Sequence, residues 1–248
     1  MRSDVQPAAS IEVDVWTWSL DAPLADCSGL YQVLSDDERV RAERFLRDVD
    51  RRRYIVGRAA LRRILGAYLG IDAKSICFVY NSWSKPELDL LNDAKLSFNL
   101  SHSAAEAILA VSAHAVIGVD IEEIRPIEDD VERHFFSSAE CHSLAALPQS
   151  ERIGGFYRCW TRKEAFVKAH GAGLSVPLDS FDVCLAEKGR RLLKRLDPHI
   201  GLLTDWTLLN LDVADGFCGA LAIHSKGRNV EIRYRSRLDW SANMASIT

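Results

Sequence analysis

The stretch AILAVSAHAVIGVDIE, residues 107–122, contains two short apolar runs separated by Ala113-His114-Ala115. Each run is rich in Ile, Val and Ala and has the length of a strand, which is typical of buried β-structure. A connection of only three residues favours an antiparallel hairpin between them. A similar run at residues 96–100 precedes them, so we expect three strands within residues 96–121.

Long amphipathic helices are expected on both sides of these strands. In residues 50–70 the apolar positions recur mostly at spacings of three and four residues, and Gly70 supplies a helix end. A second long helix is expected over 155–170, ending at Gly171. Further strands are expected at 11–20, 181–185, 206–213 and 217–223, and capping boxes at 35–38 and 137–140 each open a short helix.

The order of one long helix followed by three strands therefore occurs twice along the chain. This repetition predicts an α+β fold of two similar lobes packed side by side. We assign residues 1–123 to the N-terminal lobe and 124–248 to the C-terminal lobe. A functional site between the lobes is expected.

Asp120 and Glu122 lie two residues apart at the end of a predicted strand, so their carboxylates share one face. Neighbouring carboxylates repel each other and favour a bound cation, and an all-oxygen site suits Mg²⁺. Acidic residues are also common at the exposed end of a strand. The pair by itself leaves a purely structural role open.

Two further polar clusters accompany this pair. Trp160, Glu164 and Lys168 are four residues apart on the second long helix, which displays a carboxylate and an ammonium group on one face. An ordinary stabilising Glu–Lys helix pair has the same spacing. The segment Asn99-Leu100-Ser101-His102-Ser103 ends a predicted strand, where a histidine can equally serve as a structural hydrogen-bonding group.

In their order and spacing, these clusters resemble the motifs of the 4′-phosphopantetheinyl transferases, and within them the pseudo-dimeric Sfp-type group. The matching segments are SKP at 84–86, FNLSHS at 98–103, GVDIE at 118–122, FFSSAE at 135–140 and WTRKEAFVKAHGAGLS at 160–175. They span most of the chain. The resemblance implies two lobes in a pseudo-twofold arrangement with the active site between them.

The resemblance also implies an activity and a set of site residues. The activity is transfer of the phosphopantetheine arm of coenzyme A to a serine of an acyl or peptidyl carrier protein, with release of adenosine 3′,5′-bisphosphate. Asp120, Glu122 and Glu164 match the Mg²⁺ ligands, and Glu164 and Lys168 match the catalytic base and the lysine at the pyrophosphate. The positions that match contacts to coenzyme A are Arg41, Lys85, Pro86, Ser101, His102 and Lys168.

Basic residues are concentrated where such a polyanionic substrate would need them. Residues 39–63 contain ten arginines against three acidic residues, enough for a cationic cradle around phosphates. Glu38 departs from the family pattern, in which some members carry a basic residue, so Arg53 or a neighbour is expected to replace one contact to the 3′-phosphate. A Mg²⁺-dependent phosphohydrolase and a non-catalytic anion-binding scaffold are the alternative functions.

Composition and charge define the expected setting. The chain has 248 residues, 48% of them hydrophobic, which excludes collagen-like and disordered classes. No apolar run reaches the roughly 18 residues of a membrane span, and a formal net charge of −4 gives no reason to expect nucleic acid. The acidic N-terminal segment and six cysteines without a C-x-x-C pair favour a cytoplasmic protein with reduced thiols. We expect a monomer.

The segment 125–145 carries apolar residues within a polar stretch, namely Ile127, Val131, Phe135 and Phe136. In the resembling family the corresponding segment joins the lobes and helps to dock the carrier protein. Some of these side chains are therefore expected to form an apolar contact patch. Phe135 and Phe136 can equally be core residues that anchor the following helix.

Overall fold

Two sheets, each covered by one long helix, form the framework of the protein. The computed structural model describes residues 10–21, 27–81, 85–89, 96–128, 130–187 and 192–235. The described helices are α1 (Cys27–Tyr31), α2 (Asp36–Ala42), α3 (Asp48–Leu69), α4 (Glu132–Phe135), α5 (Ser138–Ala145) and α6 (Gln149–His170). The described strands are β1 (Ile11–Ser19), β2 (Phe78–Tyr80), β3 (Pro86–Leu88), β4 (Ser97–Ser103), β5 (Glu106–Ser112), β6 (Ile117–Glu123), β7 (Phe181–Val183), β8 (Leu193–Leu196), β9 (Trp206–Leu211), β10 (Phe217–His224) and β11 (Val230–Tyr234).

The two larger sheets repeat one pattern of strands. In the first sheet, with the order β11-β1-β5-β4, strand β5 lies antiparallel between β1 and β4. In the second, with the order β6-β10-β9, strand β10 lies antiparallel between β6 and β9. This repetition agrees with the predicted α+β fold of two similar lobes. The division of the chain after residue 123 stays a prediction, and the sheets exchange strands across it because β6 pairs with β10 and β11 with β1.

The predicted hairpin between residues 107–112 and 116–121 is wrong. β5 pairs instead with β4, through a tight turn at Ala104-Ala105 in which Ala104 has a φ of 49°. The opposite edge of β5 pairs with β1. Because both edges of β5 are already hydrogen-bonded, β6 has no edge of this strand to join and pairs with β10 in the other sheet.

Both faces of the central strand β5 are buried. Ala107, Leu109 and Val111 belong to the core beneath α3, whereas the alternate residues Ile108 and Ala110 belong to a second core between the two sheets. A third core lies beneath α6. The protein therefore stacks as helix, sheet, sheet and helix, and burial on both faces explains why β5 is apolar at nearly every position.

Both predicted long helices are present and end where predicted, but α6 begins at Gln149, six residues before the predicted start at 155. α3 and α6 each have 22 residues, and each ends at a left-handed glycine, Gly70 and Gly171. The short helix after the first capping box ends at Ala42, and the apolar residues Phe45 and Leu46 that follow it are exposed, Leu46 fully so. Within the described ranges, no helix has both the length and the apolar character needed to cross a membrane.

Gly118 allows α6 to lie directly on β6. A Cβ atom at this position would overlap the backbone oxygen of Ala165 and the backbone nitrogen of Ala169. Because backbone atoms of a packed helix cannot move aside as a side chain can, the helix and the strand are in contact through their main chains. This contact fixes the height of α6 above the carboxylates of β6.

We predict that Gly118→Ala destabilises the protein by roughly 1–3 kcal/mol or more, because the added methyl group must push α6 away from β6. Urea unfolding measures the change. Gly29→Ala is the matched control, since a Cβ at Gly29 in α1 meets nothing within 4 Å and alanine is the better helix former. Equal stability of the two variants would contradict the main-chain contact.

Candidate active site

Asp120 lies at the centre of a polar cluster that joins the two lobes. Its side chain, on β6, is buried, and Oδ1 accepts hydrogen bonds from Lys168 Nζ at 2.6 Å and from Ser101 Oγ at 2.9 Å. Lys168 belongs to α6 and Ser101 to β4, and the ammonium also donates to Ser101 Oγ at 3.0 Å. Burial raises the pKa of Asp120, against the opposing effect of the Lys168 ammonium. The sequence clusters at 99–103, 118–122 and 160–168 therefore meet at one point.

The other two predicted metal ligands lie on either side of this centre. Glu122, two residues along β6, accepts a hydrogen bond from Ser103 Oγ at 2.7 Å. Glu164 lies one turn before Lys168 on α6. Burial raises the pKa of Glu164, while the Lys168 ammonium lowers it and the Asp120 carboxylate raises it further. Glu164 and Asp120 thus both lie near the Lys168 ammonium.

The three carboxylates fit a divalent cation by chemistry but are not gathered into a closed set. Among the described residues, no group of three or more His, Cys, Asp or Glu side chains is close enough to hold a metal ion. The cationic partner of Asp120 is the Lys168 ammonium. Oδ2 of Asp120 is nevertheless buried without a hydrogen-bond partner among those residues. An orphaned carboxylate oxygen of this kind, with further carboxylates nearby, suits a hard cation such as Mg²⁺, and the assignment of Asp120, Glu122 and Glu164 stays a prediction.

Lys85 connects the β2–β3 pair to the second lobe. Its Nζ donates a hydrogen bond to the backbone oxygen of Lys168 at 2.8 Å and to that of Ile117 at 3.5 Å. Burial lowers the pKa of Lys85. The ammonium therefore lies next to the Asp120 cluster, where it supports the end of α6. Ser84, the first residue of the SKP segment, lies outside the described residues.

A pocket of about 610 Å³ opens beside the cluster on the first lobe. Three residues predicted to contact coenzyme A line it, namely Arg41, Pro86 and His102. Partial desolvation, followed by the nearby Lys168 ammonium, lowers the pKa of His102. The pocket extends along α3, where Tyr54 and Arg58 line it.

The same pocket has a wall that the sequence interpretation did not single out. Tyr54 and Arg58, one turn apart on α3, line it together with Tyr80 of β2. Arg58 was counted among ten arginines, and nothing in its spacing distinguished it from its exposed neighbours. Its position one turn after Tyr54, on the same helix face, is the signal that could have identified it.

Glu38 and Arg53, considered above for the 3′-phosphate contact, are both engaged within the protein. Glu38 is buried and faces inward, where it accepts hydrogen bonds from Arg58 and Arg62. Arg53 lines the pocket, but its Nε and Nη2 donate to the two carboxylate oxygens of Asp21 at 2.7 and 2.9 Å.

A second pocket of about 530 Å³, which we call the apolar groove, lies beyond Glu122. Its lining includes Ile127, Val131, Phe135 and Trp160. The rings of Phe135 and Trp160 meet edge to face, with centroids 5.1 Å apart. Phe136, in contrast, is a core residue of the second lobe. Of the two adjacent phenylalanines, Phe135 thus lines the groove and Phe136 belongs to the core.

We predict that Glu164→Gln is more stable than the wild type at about pH 8 in a buffer that chelates metals. Burial raises the pKa of Glu164 in the folded protein, so its ionisation favours the unfolded chain. Stability of the wild type relative to the variant falls as the pH rises above the unfolded-state value of about 4.3, and the difference should vanish below about pH 4. Urea unfolding across this range measures it. If the stability of the wild type relative to the variant rose with pH, the raised pKa of Glu164 would be contradicted.

Comparison with known proteins gives a consistent result. Two family models match the chain. The model described as "4′-phosphopantetheinyl transferase superfamily" matches residues 116–221, and the one described as "4′-phosphopantetheinyl transferase, N-terminal" matches residues 18–114. The 4′-phosphopantetheinyl transferase HetI of Nostoc sp. is 37% identical over 221 residues, which cover 88% of this chain and 90% of the relative. The 4′-phosphopantetheinyl transferase Sfp of Bacillus subtilis is 34% identical over 182 residues, 73% of this chain and 80% of the relative.

Among solved structures, the holo-[acyl-carrier-protein] synthase of Thermotoga maritima is 20% identical, with a TM-score of 0.37, and the match covers 44% of this chain and 62% of that one. The sequence relatives are far more similar. Their identity extends over most of both chains and across both lobes. The chain therefore belongs to the 4′-phosphopantetheinyl transferases, in the Sfp-type group.

Proposed function

We propose that this protein transfers the 4′-phosphopantetheine arm of coenzyme A to a serine of an apo acyl or peptidyl carrier protein and releases adenosine 3′,5′-bisphosphate. The observation that carries the proposal is the Asp120 cluster, in which Ser101 of one lobe and Lys168 of the other meet a buried carboxylate beside a cationic pocket. A diphosphate needs this kind of site, with positive charge and hydroxyl donors at the reacting end.

The reaction exchanges one P–O bond for another. The serine oxygen of the carrier attacks the phosphorus that bears the pantetheine arm, and the bond from this phosphorus to the oxygen of the adenosine 5′-phosphate breaks. The serine proton must leave, and Glu164 is the group proposed to take it, directly or through a water. Its raised pKa favours this role, because a base is most effective when its pKa approaches the working pH. Lys168 is proposed to stabilise the negative charge of the departing bisphosphate.

Asp120, Glu122 and Glu164 would hold Mg²⁺. The ion would supply Lewis-acid stabilisation of charge on the diphosphate. Arg41, Pro86 and His102 are proposed to bind the adenosine end of coenzyme A in the 610 Å³ pocket, while Ser101 and Lys85 support the diphosphate end.

We predict that wild-type protein adds the mass of one phosphopantetheine arm to an apo carrier in the presence of coenzyme A and Mg²⁺. Asp120→Ala and Glu164→Ala should each reduce the rate by at least about 10²–10⁴-fold, because each removes an acceptor from the reacting centre. Mass spectrometry of the carrier measures the transfer, and circular dichroism checks the fold. Hydrolysis of coenzyme A without loading of the carrier would indicate a phosphohydrolase instead. Binding without either reaction would indicate a scaffold.

The apolar groove is proposed as the docking surface of the carrier. It adjoins Glu122, so a carrier helix seated there would bring its serine to the reacting centre. Exposed Arg125 and Arg133 flank this segment and would attract an acidic carrier. Trp160 and Phe135 supply the aromatic anchors that dominate many interfaces. Carriers of fatty acid, polyketide and nonribosomal peptide synthesis all have the required serine, and the native carrier is left open.

We predict that Ile127→Asp or Val131→Asp raises the KM for the carrier by roughly tenfold or more, because a charge in the groove must be desolvated when the carrier docks. The affinity for coenzyme A should stay unchanged, since neither residue lines its pocket. Leu202→Asp, an exposed leucine outside the groove, is the matched control. An unchanged KM for the carrier in both groove variants would place docking on another surface.

The cellular setting is part of the same proposal. A net charge of −4 and cysteines without metal-ligand or redox spacing support a cytoplasmic enzyme whose macromolecular partner is a carrier protein and not a nucleic acid or a membrane. We propose that it acts as a monomer, because the two lobes of one chain already form both sides of the site.

A further inference from the structure

A buried cluster with an excess of positive charge lies in the wall of the 610 Å³ pocket. The Glu38 carboxylate accepts hydrogen bonds from Arg58 Nε at 2.7 Å and from Arg62 Nε at 2.6 Å. Both guanidinium groups lie over the ring of Phe78, at 4.6 and 5.2 Å from its centroid. Asp37, the adjacent acidic residue, is exposed to solvent. Two positive charges thus share one buried negative charge.

The second lobe contains a corresponding buried ion pair, in which one carboxylate meets one cation. Glu140 follows the capping-box serine Ser137 as Glu38 follows Ser35, and it pairs with Lys163 at 2.8 Å. Lys163 lies over the ring of Phe181 at 4.3 Å and donates to the backbone oxygens of residues 178 and 181. Arg62 likewise donates to the backbone oxygens of residues 73 and 76.

Counting back from the terminal glycines of α3 and α6 shows which of the two arginines in the first lobe has no cationic counterpart in the second lobe. Arg62 and Lys163 are each eight residues before Gly70 and Gly171. Twelve residues before these glycines, the first lobe has Arg58 and the second has Cys159, a fully buried thiol near Glu140. In the second lobe one cation, Lys163, is thus sufficient to pair with the capping carboxylate. No cation takes the place that Arg58 has in the first lobe. Arg58 is an unbalanced charge, and it occurs in the lobe that carries the pocket.

Arg58 has donor capacity left for a ligand. One edge of its guanidinium faces Glu38, and Nη2 also donates to the Tyr80 hydroxyl at 3.2 Å. Nη1 has no partner among the described residues, and the side chain lines the pocket. A buried, pre-oriented guanidinium with excess charge binds a phosphate more strongly than an exposed arginine, since little side-chain freedom is lost.

We infer that Arg58 binds the ribose 3′-phosphate of coenzyme A, with Glu38 as its positioning residue, an inference that rests on the proposed function. The diphosphate must lie at the Asp120 cluster, where the reaction takes place, and Arg58 makes no contact with that cluster. The remaining anionic group of coenzyme A is the 3′-phosphate. Glu38, which replaces a basic residue of some relatives, thus supports this contact by orienting a cation from α3.

The test compares coenzyme A with 3′-dephospho-coenzyme A in calorimetric binding to wild type and Arg58→Gln. Loss of a charge-assisted contact should weaken coenzyme A binding by about 10- to 100-fold. Binding of the dephospho compound should change by less than about threefold. Arg51→Gln is the control for net charge, because Arg51 lies on the same helix outside the pocket. Equal weakening of both ligands, or of neither, would overturn the inference.

Thermal unfolding without ligand provides an independent readout. Removing Arg58 takes its donors away from Oε1 of Glu38 but leaves Oε2 paired with Arg62, so Arg58→Gln should melt only slightly lower than the wild type. Lys163→Gln removes the cationic partner of a buried carboxylate and should melt clearly lower. A strongly destabilised Arg58→Gln would show that the guanidinium serves folding and would overturn the inference. Failure of the wild type to load any carrier would instead reject the proposed function.

Discussion

The structure depends on the seam between β4 and β6, where side chains take the place of a backbone ladder. Asn99 Oδ1 accepts a hydrogen bond from the backbone nitrogen of Val119 at 2.7 Å, and Ser103 Oγ accepts one from that of Glu123 at 3.1 Å. Buried backbone N–H groups require partners, and β6 receives them on this edge from polar side chains of β4. The two sheets are therefore joined by groups that can also make polar contacts to a substrate.

The position of the proposed active site follows from this seam. Small polar residues must alternate along β4, and one of them, Ser101, directly meets Asp120. α6 can then place Lys168 on the same carboxylate because Gly118 lets the helix lie on the backbone of β6. The residues that hold the lobes together and the residues proposed to hold the diphosphate are thus largely the same.

Local patterns in the sequence predicted both long helices and seven of the eleven described strands, but not the strands β2, β3, β8 and β11. Contacts between distant segments determined how the strands pair. The periodicity of α3 and α6 and their terminal glycines predicted both helices, because these features depend on neighbours three and four residues away. The hairpin of β5 with β6 was predicted from a short connection and is wrong, because strand pairing depends on which edges are free. Glu38 shows the same limit, since only the folded protein shows that this carboxylate faces two arginines of α3.

The two lobes keep one framework and differ at the positions where chemistry is needed. Seven and three residues before its terminal glycine, α6 has Glu164 and Lys168, whereas α3 has Arg63 and Ala67 at the same distances. The helix of the second lobe therefore contributes Glu164 and Lys168 to the carboxylates of β6, and the helix of the first lobe contributes to an arginine-lined pocket. A substrate with phosphate groups on both the 5′ and the 3′ oxygen of its ribose is suited to this division, because one group can lie at the shared seam while the other lies against the basic helix. The modest net charge of the chain does not reveal that its acidic and basic residues are concentrated in different segments. The packing of the two lobes brings these segments together.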